Sequence, residues 1–161
     1  MNRAPALLIM TLVVSTARAQ VGPSLTAVGS GCPTAAALIP GLWANSLPWI
    51  GNQNFQITCS NVPTGTGCLL FGAIGPASPP FNIGNNCNVY LDPLSMVGLI
   101  DLGISPLGPI FPDPFGSAAF ALPIPISPPL AGLTLSFQAV VLNPAGPHGL
   151  SLSNAVEVRF N

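Results

Sequence analysis

Short runs in which apolar and polar residues alternate, each cut off by proline or glycine, constrain this chain more than any other feature. In NFQITCS, Phe55, Ile57 and Cys59 point one way and Gln56, Thr58 and Ser60 the other. In GLTLSFQAVVL, Leu133, Leu135, Phe137, Ala139 and Val141 share a face. A period of two is the signature of a half-buried strand. Further runs predict strands at CLLFGAI (68–74), around Cys87, Val89 and Leu91, at 117–122, and at AVEVRF (155–160), with Val156, Val158 and Phe160 inward. Between them lie NVPTGTG, GPASPPFNIGNN and LPIPISPPLAG, whose prolines and glycines favour turns and extended crossings. Residues 92–115 carry five prolines and read as irregular or edge structure. Twenty prolines and 17 glycines in 161 residues leave no convincing amphipathic helix beyond the first twenty positions. The expected fold is all-β: an antiparallel β-sandwich of about seven to nine short strands. An outer-membrane barrel shares the alternation but wants aromatic girdles, and the chain has one tyrosine.

The N-terminus reads differently. Arg3, the apolar stretch 4–14 and Ala17-Arg18-Ala19 form a secretory signal peptide pattern, with residues 1–19 removed and the mature chain starting at Gln20. Removing 19 of 161 residues leaves 142, enough for one domain with a true core. Residues 20–31 are expected to be a flexible lead-in and 32–161 the single domain.

Charge is nearly absent. The mature chain would keep one cation, Arg159, against Asp92, Asp101, Asp113 and Glu157, a net charge of −3 with no lysine. Nucleic acid needs clustered lysine and arginine and is excluded as a partner. Docking to anionic lipid is excluded for the same reason. Disorder through charge repulsion does not fit a chain that is 49% apolar and 4% charged.

The four cysteines, Cys32, Cys59, Cys68 and Cys87, fall after the signal peptide. An even number in an exported chain reads as two disulfides with three possible connectivities. Reading ITCSNVPTGTGCLL as two strands joined by a turn favours Cys59–Cys68 and, by elimination, Cys32–Cys87. No CxxC pair supports zinc.

Several stretches occur in order: GCP (31–33), PWIGNQNFQI (48–57), LLFG (69–72), NCNVYLDP (86–93), ALPIPISPPLAGLTLSFQAVVLNPAG and SNAVEVRF. Together they resemble an uncharacterised secreted bacterial domain often found at the C-terminal end of large exoproteins. Its pattern runs Cys-Pro, P-x-x-G-x-x-F, G-x-C-x-L, a proline-led L-x-G strand ending in Gln, and a closing SNa strand. The resemblance implies a β-sandwich with a Cys32–Cys87 bridge and brings no catalytic activity. The Cys59/Cys68 pair departs from that pattern.

Few residues can carry chemistry. His148 lies in a turn composition, and no G-x-S-x-G elbow accompanies it. Asp92-Pro93 and Asp113-Pro114 are turn dipeptides whose carboxylates bond nearby amides. Asp92 and Asp101 are weak candidates for holding calcium, with spacing too loose for an EF-hand. No cofactor and no catalytic residue are expected. Trp43 and Trp49, with Asn45, Asn52 and Asn54, form the candidate ligand site, since an aromatic face beside neutral amides suits a sugar. Gln138 sits on the polar half-face of its strand and reads as an internal tie to a crossing loop such as PISPPLAG. The reading is a non-catalytic, secreted structural or interaction module, self-associating or contacting other envelope proteins. The alternative is a carbohydrate-binding module.

Overall fold

The structure is a computed structural model that describes residues 22–34, 36–98, 109–143 and 149–161. The signal peptide pattern, Asp101 and His148 lie outside those residues. Among the described residues there are ten strands, more than the seven to nine expected: β1 (Ser24–Val28), β2 (Gly41–Ala44), β3 (Gln56–Ser60), β4 (Cys68–Ile74), β5 (Phe81–Gly84), β6 (Cys87–Val89), β7 (Met96–Gly98), β8 (Ala118–Ala121), β9 (Thr134–Leu142) and β10 (Leu150–Arg159). All named pairings are antiparallel. A five-stranded sheet has the order β1-β10-β9-β4-β7, a three-stranded sheet β2-β3-β8, and β5-β6 form a hairpin.

The main core lies between the two larger sheets, where Leu42, Ile57, Phe120, Phe137, Val156 and Val158 meet. The alternation read from sequence supplies these faces directly. The other face of the large sheet is covered as well: Leu152 packs with Cys32 and Cys87, against which Ile83, Val89 and Val140 rest. The molecule therefore has three layers, with the β5-β6 hairpin as the third. The Cys32–Cys87 disulfide joins that hairpin to the segment leaving β1.

The β6 arm of the hairpin falls where a strand was expected, whereas β5 occupies residues expected to be loop. Asn85 and Asn86 both have positive φ, 49° and 59°. That combination is what a two-residue type I′ turn requires, and Asn tolerates it better than most residues. The flexible lead-in is corrected too. Residues 24–28 pair with β10 from Ser24↔Arg159 to Val28↔Ala155, because the edge of β10 would otherwise lack a partner.

Three details position everything else. First, β10 slips register between Leu152 and Ala155. Before this bulge Leu152 belongs to the hairpin side; after it Val156 and Val158 face the main core. One strand thus serves two cores, since an extra residue in a period-two element reverses its faces. Second, Asn154 in the bulge accepts from Leu42 N–H with its Oδ1 at 2.7 Å and donates to Leu42 C=O at 3.1 Å. Its amide acts as a mock strand along β2 and ties the two sheets. Third, β3 and β4 lie in different sheets, so the hairpin expected for ITCSNVPTGTGCLL does not exist. Residues 61–67 instead cross between sheets, held by Val62 N–H to Gly116 C=O at 2.9 Å and Thr66 N–H to Pro63 C=O at 3.2 Å. The Cys59–Cys68 bridge is not formed here. Both residues are free, buried cysteines.

Candidate functional site

The loop between β2 and β3 carries the residues singled out for ligand binding. Trp43 projects from β2 on the outward face of the small sheet, in register with Thr58 and Ala119. Trp49 lies in the following turn. Their exposures are 50% and 52%, so each presents part of its ring to solvent. The Asn45 and Asn52 amides bond within this segment. Asn45 donates to Asn54 C=O at 2.9 Å and accepts from Gln56 N–H at 2.9 Å and Ser46 Oγ at 3.1 Å. Asn52 donates to Ser46 Oγ at 3.0 Å and Leu47 C=O at 3.1 Å, and accepts from Asn54 N–H at 3.1 Å. Gln53 donates to Ile124 C=O at 2.9 Å. Asparagines favour such local bonds because their short side chains reach neighbouring backbone groups. Asn54 contributes its backbone to this network. The aromatic rings are thus displayed beside Asn45 and Asn52, whose amides are engaged by neighbouring groups of the loop.

Gln138 is 2% exposed. Its Oε1 accepts from Tyr90 N–H at 3.0 Å, and its Nε2 donates to Asn88 C=O at 2.8 Å and Ser153 C=O at 2.9 Å. Both amide hydrogens are engaged. The partners are the β6 segment and the β10 bulge rather than the PISPPLAG crossing, which lies elsewhere. Tyr90 continues the chain of contacts: its hydroxyl accepts from Ser30 N–H at 3.2 Å. Its ring lies against Gly29, at φ 68°, where a Cβ would come within 2.4 Å of two ring carbons and the hydroxyl oxygen. Nothing in the sequence singles out Tyr90, since its partners come from segments 48 and 60 residues away.

Among the aspartates, Asp92 Oδ1 accepts from Leu94 N–H at 3.1 Å, and Asp113 Oδ1 accepts from Phe115 and Ser117 N–H at 2.9 Å each. These are turn-forming bonds. Glu157 accepts from Ala77 N–H at 2.8 Å. Among the described residues, no three His, Cys, Asp or Glu side chains cluster to hold a metal. No helix among them is long and apolar enough to cross a membrane.

The three-stranded sheet is too short to cover the far end of β4 and β9. There the proline-fixed segment 122–130 closes over the large sheet and leaves an apolar cavity of about 300 Å³. Phe55, Ile74, Ile124, Leu135, Phe137 and Phe160 help to line it. Its walls are carbon, so it offers room for an apolar group but no acid, base or nucleophile. No model of a known protein family, no curated protein and no solved structure matches this chain.

Proposed function

We propose that this chain is a non-catalytic module of the cell surface or extracellular space that works by contact, with a second copy of itself as one partner. The observation that carries this reading is the stretch 38–49. Leu38, Ile39, Trp43, Leu47 and Trp49 are all exposed there, while the neighbouring amides bond within the loop. Exposed apolar side chains of this size are costly to hydrate and mark contact surfaces. With only 4% charged residues, little repulsion opposes association. The Cys32–Cys87 bridge is compatible with an extracellular or periplasmic setting, as is the signal peptide pattern. The likeness to the secreted exoprotein domain points the same way. Sedimentation of the mature chain over a hundredfold concentration range is expected to reveal reversible assembly. Trp43→Ser with Trp49→Ser should weaken it about tenfold or more, as loss of two aromatic contacts would. A strictly monomeric protein at all concentrations overturns the reading.

The half-exposed tryptophans also favour a second reading, a carbohydrate-binding module, because a ring face packs well on sugar C–H groups. Glycan binding that Trp49→Ala abolishes in a folded protein would select it over self-assembly.

A further inference from the structure

Cys59 and Cys68 stand at one corner of the sandwich, where the chain leaves one sheet and enters the other. Cys59 is the penultimate residue of β3 and Cys68 the first of β4. Register places Cys59 between Leu42 and Ala118 in the small sheet, and Cys68 beside Val141 and bridged to Ile110 at the large one. Both side chains point into the main core and both are 0% exposed. The neighbouring Cys59 thiol, together with burial, pushes the Cys68 pKa up from its ordinary value. The hydrogen of Cys59 has only a distant acceptor, Ser60 C=O at 3.9 Å.

We propose that this pair closes into a second disulfide, one that staples the two sheets across the core. Three observations converge on it. The two side chains enter one core cluster from facing sheets, and short pinned residues 61–67 hold that corner together. The chain's other cysteine pair is already oxidised, so conditions that make the native protein also make disulfides. Sandwich domains with an inter-sheet bridge at buried positions are a known solution to the same packing problem. In the closing step each thiol gives up its proton and the pair gives up two electrons, forming one S–S bond. The acceptor is a protein or small-molecule disulfide, which is reduced to two thiols as the exchange passes through a mixed disulfide. Exchange needs a thiolate reached by the attacking partner. Neither sulfur is accessible in the folded chain, so closure belongs to folding, before the core forms.

The test is intact mass spectrometry of the mature chain exported to a bacterial periplasm on a heterologous signal. The protein is unfolded in denaturant with an alkylating agent and no reductant. The expected result is a mass four hydrogens below that of the fully reduced chain, with no alkylated cysteine. Peptic peptides should then show Cys59 linked to Cys68. A mass two hydrogens low, with alkyl groups on Cys59 and Cys68, overturns the proposal, as does linkage of either residue to Cys32 or Cys87.

Discussion

Gln138 shows how a polar side chain earns a place inside a sandwich. It satisfies the backbone of β6 on one side and of the β10 bulge on the other, at positions where no strand neighbour is available. Gln138→Leu would preserve bulk but strand Tyr90 N–H and leave the carbonyls of Asn88 and Ser153 short of a donor. Orphaned buried groups cost about 1–3 kcal/mol each, so urea unfolding should show a loss on the order of 3 kcal/mol. The Cys68 thiol makes a second residue-scale prediction. Its hydrogen bond to Cys59 and its burial push its pKa up from the ordinary 9.0. In a Cys59→Ala chain the burial persists and Cys68 remains a thiol. As pH rises past about 9 the unfolded thiol ionises while the folded one does not, so stability is present below that pH and lost above it. The decline should reach at most about 1.4 kcal/mol per pH unit. The Cys59→Ala/Cys68→Ala chain, compared by denaturation at pH 7 and 10, should lack it.

At the scale of elements, turns and bulges decide what strands can do. The β5-β6 hairpin depends on left-handed Asn85 and Asn86. Asn86→Gly is expected to leave the melting temperature nearly unchanged, whereas Asn86→Val should cost about 1–2 kcal/mol through backbone strain alone. The asparagines were legible as a turn and CNV as the start of a strand, but its partner was not: FNIG alternates too briefly to stand apart from the Pro/Gly/Asn loop around it. The bulge in β10 is harder still. Val156, Val158 and Phe160 read correctly as an inward face, yet no local signal announces that Leu152, on the same parity, faces the opposite core. Ser153 and Asn154 bring that about through bonds to β9 and β2, with Ser153 Oγ accepting from Ala139 N–H at 2.9 Å.

At the scale of the molecule, the third layer is the weakest part. The hairpin rests on a small cluster around Leu152 and is held by Gln138, Tyr90 and one disulfide. The bridge spans 55 residues of sequence. Removing it with Cys32→Ala/Cys87→Ala should cost about 4 kcal/mol on the chain-entropy argument. Hydrogen exchange should then rise in residues 81–90 before it rises in β4, β9 and β10. Exchange that accelerates uniformly would mean the layers unfold as one unit. The tryptophan loop belongs to the opposite side, on the small sheet, so its contact properties should survive that change.

Period-two patterning, proline placement and the scarcity of charge were enough to determine an antiparallel, all-β molecule and the inward faces of β3, of β9 and of the last part of β10. Those properties are local: each needs only a residue and its near neighbours. The β1 edge strand, the three-layer arrangement, the crossing of residues 61–67 between sheets and the partners of Gln138 were decided by tertiary structure. Each depends on groups tens of residues apart meeting to satisfy a backbone edge or a buried amide. The same holds for the candidate site. Trp43 and Trp49 were visible as rings beside amides, but only folding paired the Asn45 and Asn52 amides with neighbouring loop groups and left the rings outside.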